Sequence, residues 1–303
     1  DERTVAGLNG LGAKLTNIFS KEFTVSTSDG KNSFIQTFTQ NMRERNTPVV
    51  KKSKSKFTKI SFIPDFPQFK LDGIDEDHYK MIEKRVVDIA ACNPSLTVYF
   101  NGKKLNFNDF SDYIKLYNED FFYEVSKDKN WEVGIAVSEN GFQQVSFANG
   151  TETYDGGTHV DYILNQIVVN LREFFNKKHK YDVKPSEIKN HLFIFLNCTV
   201  INPSFSSQTK EKLITEVKDF GTSYEISKKL MQSILKSEIV NSILDWIQQK
   251  KKAEESKLQR ELNKKVSKIK VDKLIDSKGK ERWKHSLGIF EGDSASAAYR
   301  KYR

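Results

Sequence analysis

Residues 7–17 read GLNGLGAKLTN: Gly7, Gly10 and Gly12 alternate with Leu8, Asn9, Leu11 and Ala13, and Lys14 closes the run just before apolar-periodic sequence. Glycines let a backbone approach a polyphosphate closely, the N–H groups that open a helix point at its oxygens, and a lysine adds a point charge. The stretch reads as a phosphate cradle. Its spacing matches neither the P-loop nor the dinucleotide fingerprint, so an ordinary glycine-rich turn stays open as the other reading.

Two more stretches hold residue types suited to phosphoryl chemistry. SFSSQTKE, residues 204–211, follows an apolar run and Pro203, which makes it a loop at a strand end from which Lys210 can reach a neighbouring site. Further on, LGIF at residues 287–290 reads as an apolar strand running into Glu291, a carboxylate at a strand tip beside Gly292. The five histidines have no metal-ligand spacing. His159, in GGTHVDY, reads as a packing residue, and no Ser-His-Asp or Cys-His arrangement is defensible. Lys177 and Lys178 end a helical pattern, where they either compensate the helix dipole or touch a nucleic-acid backbone.

The elements around these residues follow from hydrophobic periodicity and turn signals. Alternation over residues 23–27 and 33–37, joined by Ser28-Asp29-Gly30-Lys31, predicts a hairpin; residues 59–63 predict a third strand, and the basic stretch 51–59 before it reads as an exposed loop. Residues 75–91 predict a helix, and Asn101-Gly102 the turn of a second hairpin. Strands at 131–137 and 142–147, a helix at 159–178, a buried strand at 191–200 and helices at 224–237 and from 239 onward complete an alternation that implies a covered sheet. Between Lys250 and Lys270 nine basic residues outnumber three acidic ones while apolar positions are sparse, which describes a long solvated strut.

Across 303 residues the net charge is +9 and 29% of side chains are charged, a balance that suits an anionic partner as well as it suits a lysine-rich surface. Cys92 and Cys198 lie far apart in apolar contexts, as reduced buried thiols do. No apolar run is long enough to span a bilayer and no signal-peptide pattern opens the chain, so neither membrane nor secretion is expected. Asp1-Glu2-Arg3 reads as the interior of a longer polypeptide.

In their order, these stretches resemble type IIA DNA topoisomerases over essentially the whole chain, nearer to the eukaryotic, large-virus and T-even phage enzymes than to bacterial gyrase. GLNGLGAKLTNIFS is similar to the ATP lid and phosphate loop of the GHKL ATPase domain, and SFIPD at residues 61–65 to its last strand. GFQQVSFANGTETYDGGTHVDY at 141–162 is similar to the start of the transducer domain, NPSFSSQTKE at 202–211 to its switch-lysine loop, and IFEGDSAS at 289–296 to the first strand and glutamate of TOPRIM.

The resemblance implies an α+β fold: the C-terminal part of a GHKL ATPase domain at 1–110, a ribosomal-protein-like α/β transducer at 111–249, a charged helical connector at 250–280 and the start of TOPRIM at 281–303. It implies ATP and Mg²⁺ as cofactors. Gly7, Leu8, Asn9, Gly10, Leu11, Gly12, Ala13 and Lys14 would hold ATP together with Gln208, Thr209 and a catalytic Lys210, and Glu291 would be a catalytic metal ligand. It also implies double-stranded DNA contacted by Lys177 and Lys178, dimerisation through the ATPase gate, a cleavage domain or subunit carrying the DNA-attacking tyrosine, and a cytoplasmic or nuclear location. In this family the general base, the metal-holding asparagine and the adenine-reading aspartate precede the phosphate loop. The Asp-x-Asp partner of the TOPRIM glutamate does not follow before Arg303. The expectation is therefore part of each site, in a chain coupling ATP hydrolysis to duplex passage. The alternative is a non-catalytic coupling and dimerisation module of a multi-subunit topoisomerase. A GHKL repair or chaperone ATPase fits less well, because the Gln208-Thr209-Lys210 loop and the Glu291 motif occur together.

Overall fold

The computed structural model describes residues 2–266, 281–292 and Ala297. The chain divides into two compact units, Asp1–Asp245 and Trp246–Arg303.

The first unit opens with helix α1 (Leu11–Ile18) and strands β1 (Ser20–Asp29), β2 (Asn32–Thr39), β3 (Glu44–Arg45), β4 (Val49–Lys52) and β5 (Lys56–Pro64). All pair antiparallel: β3 and β4 share one edge of β2, and β1 lies between β2 and β5. The β1–β2 turn forms where expected, because the Asp29 carboxylate accepts from the amides of Lys31 (2.7 Å) and Asn32 (2.8 Å) and Gly30 takes a positive φ. The basic stretch 51–59, expected as a loop, instead ends β4 and begins β5. Its lysines alternate with Phe57 and with serine or threonine, and such a pattern suits an exposed edge strand as well as a loop.

Helix α2 (Glu76–Cys92), the hairpin β6 (Val98–Phe100) and β7 (Lys103–Leu105), and helix α3 (Phe110–Ile114) follow. Then come β8 (Phe121–Val125), β9 (Trp131–Val137), β10 (Gln143–Ala148), β11 (Thr151–Glu152), helix α4 (Thr158–Phe174) with a π-helical extension Phe175–His179, helix α5 (Pro185–Lys189) and β12 (Leu192–Cys198). The second sheet has the order β11-β10-β12-β9-β8. Strand β12 is inserted between β9 and β10, antiparallel to the first and parallel to the second. A parallel neighbour requires a crossover, and α4 with α5 supplies it.

Both faces of this sheet are covered, so its central strands are almost continuously apolar. Ala91 of α2, with Phe110, Tyr113 and Ile114 of α3, packs on Ala136, Phe147 and Phe195. Ile135, Ile194 and Leu196 alternate to the other side and are also fully buried. Helix α4 buries Val160, Ile163, Leu164, Ile167, Val168 and Leu171, the stripe of a helix lying on a sheet.

Helix α6 (Lys228–Ile234) is shorter than the 224–237 pattern suggests, because the Ser227 hydroxyl accepts from the Leu230 amide (3.0 Å) and starts the helix there. Helix α7 (Glu238–Val266) runs across the division between the units, and every side chain from residue 248 to 263 is exposed, as a strut requires. The rest of the charged tract, to Lys270, lies outside the described residues. Residues 287–290, expected as a strand, form none. Leu287 and Ile289 are 79% and 87% exposed, and among the described residues no strand lies beside this run to complete a ladder.

Candidate nucleotide-binding loops

The glycine-rich stretch becomes an irregular approach followed by α1. Gly10 is the N-cap at φ 61°, ψ 23°, a left-handed conformation suited to glycine, and no side chain caps the helix. The N–H groups of its first turn are thus left to water or to an anion. A Cβ at Gly7 or Gly12 would meet nothing within 4 Å. Gly12 lies inside the helix, where glycine costs about 0.8–1 kcal/mol relative to alanine. Packing within the chain does not call for glycine there; close approach by a ligand would. Lys14 is exposed in the next turn and, among the described residues, makes no side-chain hydrogen bond or ion pair.

Residues 204–214 form a hairpin-like loop after β12. Its stem is held by Ile214 N–H to Ser204 C=O (2.9 Å), Ser206 N–H to Lys212 C=O (3.0 Å) and the bridge between Phe205 and Leu213. The tip is a turn closed by Lys210 N–H to Ser207 C=O (3.2 Å), with Lys210 itself at φ 62° and the Ser207 and Thr209 hydroxyls 2.6 Å apart. Gln208 and Thr209 are exposed and Lys210 is half-buried. The Lys210 side chain has no hydrogen-bond or ion-pair partner among the described residues.

Each arm of this loop is anchored. The outgoing arm rests on the start of α4: Asp155 N–H donates to Glu211 C=O (2.9 Å), Leu213 N–H to Gly156 C=O (3.1 Å) and Thr158 N–H to Leu213 C=O (3.1 Å). Gly157 is glycine for this contact, since a Cβ on it would lie 2.3 Å from the Leu213 carbonyl oxygen. The incoming arm meets the root of the glycine-rich stretch. The Arg3 guanidinium donates to the Pro203 carbonyl (2.7 Å), and the Arg3 amide donates to the Asn202 side chain (3.0 Å). The structure thus joins the two predicted loops through their roots. Sequence reasoning missed Arg3, Asn202 and Gly157 in this role; the only signal was the Asn202-Pro203 turn.

The remaining candidates fall elsewhere. Lys177 pairs with Glu173 and Lys178 lies 5.1 Å over the Phe174 ring, both on the π-helical turn that ends α4. Glu291 is exposed, and no cluster of three or more potential metal ligands occurs among the described residues. His159 is a core residue: its Nε2 is 2.9 Å from the Thr153 hydroxyl, and burial pushes its pKa down to about 3. Burial also raises both thiols, Cys92 and Cys198. A cavity of about 800 Å³ lined by Lys84, Tyr117, Gln144, Glu152 and Tyr154 contains none of the predicted site residues.

A family model described as DNA gyrase B matches residues 109–262. The chain belongs to the DNA gyrase B family of topoisomerases. It is 38% identical to DNA topoisomerase 2-beta of Gallus gallus and 39% identical to DNA topoisomerase 2 of Drosophila melanogaster, each over 98% of its length. It covers 19% and 22% of those proteins, about a fifth of their length. Among solved structures it resembles the ATPase region of Saccharomyces cerevisiae topoisomerase II bound to ICRF-187, with TM-score 0.75 and 38% identity over 81% of this chain and 66% of that one. The ATPase and transducer domains of Balamuthia mandrillaris DNA topoisomerase II match with TM-score 0.79 and 36% identity, over 83% of this chain and 67% of that one. The chain therefore has the α+β fold of part of the ATPase and transducer region of type IIA topoisomerases. No helix among its described residues is long and apolar enough to cross a membrane.

Proposed function

We propose that this region binds ATP between the glycine-rich loop and the Lys210 hairpin, and that ATP binding and hydrolysis drive the passage of one DNA duplex through another. The observation that carries this reading is the uncapped α1 N-terminus, with a glycine in the helix that intramolecular packing does not require, joined at its root to a hairpin whose tip presents a lysine without a partner among the described residues. In phosphoryl transfer the protein mainly positions groups and stabilises charge, so Lys14 beside the phosphates and Lys210 at the γ-phosphate are suitable cations. Gln208 and Thr209 place Lys210 at the tip.

In the same reading Lys177 and Lys178 contact duplex DNA, the ATPase parts of two copies form a gate, and a further domain or subunit supplies the DNA-attacking tyrosine. We assign residues 1–110 to the ATPase part, 111–249 to the transducer, 250–280 to a connector and 281–303 to the start of TOPRIM. Helix α2, within the first of these, packs its Ala91 on the second sheet, which supports a close junction between the ATPase part and the transducer. Glu291 would hold Mg²⁺, which takes several oxygen ligands, only with further carboxylates, and no cluster of three or more metal-ligating side chains occurs among the described residues. Lysine-rich charge and two unbridged cysteines are consistent with a nuclear or cytoplasmic setting.

The test is steady-state ATP hydrolysis by the full-length enzyme. Lys210→Ala lowers turnover by a factor on the order of 10², the scale of losing one transition-state donor, and lowers nucleotide binding less. Lys212→Ala, on the exposed stem, stays near normal. Equal, near-normal turnover for both variants would refute the assignment.

A further inference from the structure

We propose that Arg3 is a positioning residue for ATP hydrolysis, a pin that fixes the glycine-rich loop against the root of the Lys210 hairpin. The proposal rests on the reading of those two loops given above. One guanidinium nitrogen, Nη1, donates to the carbonyls of Val5 (3.1 Å), Ala6 (3.3 Å) and Gly7 (3.1 Å), and so curls the segment that enters the phosphate loop. The other, Nη2, donates to the carbonyl of Pro203, the residue that begins the hairpin's incoming arm, at 2.7 Å. A planar group with five donors can serve two backbone segments at once, and an ammonium on a flexible stem holds such a geometry poorly.

The backbone reinforces the joint. Arg3 N–H donates to Asn202 Oδ1 (3.0 Å), and Asn202 N–H returns a bond to Arg3 C=O (2.8 Å). Asn149 Nδ2 donates both to Thr4 C=O (2.7 Å) and to Val200 C=O (2.8 Å). The joint bridges surface and core: Asn202 is exposed and Arg3 half-buried, while Ala6, Val200 and Pro203, whose carbonyls accept its bonds, are buried. Breaking it frees the two loop roots from one another. A shift of about 1 Å in a charge-positioning group is enough to cost up to 10²-fold in rate.

The experiment is a double-mutant cycle on the full-length enzyme, with kcat and KM for ATP measured for Arg3→Ala, Lys210→Ala and the pair. Arg3→Ala is expected to lower kcat about tenfold with KM changed less than about threefold, and Arg3→Lys to recover part of the loss. With Lys210 already replaced, Arg3→Ala should cost nothing more. Asn202→Gly loosens the joint from the other side: it keeps the positive φ of Asn202 (50°), removes the acceptor of the Arg3 amide and leaves the guanidinium bonds, so it should lower kcat in the same way but less, even if Arg3→Ala folds poorly. If the Arg3 and Lys210 losses multiply, or if Arg3→Ala and Asn202→Gly leave kcat normal, the pin is refuted while the role of Lys210 stands. If Lys210→Ala itself leaves turnover normal, the reading of the hairpin fails and this proposal falls with it.

Discussion

Replacing Gly157 by alanine tests how the Lys210 hairpin is seated. Gly157 has φ 137° and ψ −167°, a region that only glycine occupies easily, and a side chain forced into it costs about 1–3 kcal/mol. The added Cβ would also lie 2.3 Å from the Leu213 oxygen and 2.7 Å from its nitrogen, both backbone atoms that no side-chain rotation moves aside. The contact must open, giving up the bonds from Thr158 N–H to Leu213 C=O and from Leu213 N–H to Gly156 C=O, at about 1 kcal/mol each. Leu213, fully buried, loses part of its cover as well.

The sum is about 4 kcal/mol, a large share of the roughly 5–15 kcal/mol that stabilises a domain. Urea unfolding of the 303-residue chain, followed by far-ultraviolet circular dichroism and by tryptophan emission, to which the fully buried Trp131 contributes, measures it. A loss below about 1 kcal/mol would show that the hairpin arm is free to lift from α4, and the anchoring argued from this contact would be wrong.

Two other outcomes follow from the site. Replacing Lys177 and Lys178 together by alanine should lower the slope of log DNA affinity against log salt by about two if both touch phosphates, at about one per contact; an unchanged slope would leave them with Glu173 and the Phe174 ring, their partners within the chain. His159 is held neutral down to about pH 3, below the ordinary histidine value, so the unfolded chain takes up its proton first. Stability should therefore fall as pH drops from about 6.5 toward 3, by up to about 1.4 kcal/mol per unit. Comparing urea unfolding of wild type and His159→Gln at pH 7 and pH 5 isolates this contribution, and parallel behaviour of the two proteins would exclude it.

Local features were legible where side chain and backbone need agree. Asp29-Gly30 announced its turn through the carboxylate that bonds the following amides, and the apolar stripe of α4 announced its buried face. Strand β5 was partly misread because a lysine-rich edge strand and a lysine-rich loop have one composition. The order of the second sheet was not legible at all. Strands β9 and β10 are joined by a short turn, yet β12 lies between them and pairs with both, a long-range arrangement that no local pattern announces. For the site, glycines and lysines marked the tips of both loops. Their roots were silent, because Arg3 and Asn202 act on backbone atoms about two hundred residues apart and such a bond has no period or motif.

The roots decide what the tips can do. A lysine at the end of an unanchored loop samples many positions, and only a small fraction would place its charge where a transition state develops it. Here the incoming arm is tied to the segment that enters the glycine-rich loop, and the outgoing arm to the Gly156-Gly157 turn that starts α4. Helix α4 is 17 residues long, about 25 Å at 1.5 Å per residue, and its far end carries Lys177 and Lys178. A displacement of the hairpin relative to α1 therefore acts on two parts at once: it changes the distance between Lys210 and Lys14, and it pushes on a stiff helix whose other end is basic. If ATP and DNA bind as proposed, that is a mechanical route from the nucleotide to Lys177 and Lys178, built from backbone hydrogen bonds, the Arg3 guanidinium, the Asn149 and Asn202 side chains and a glycine that no larger residue can replace without opening the contact.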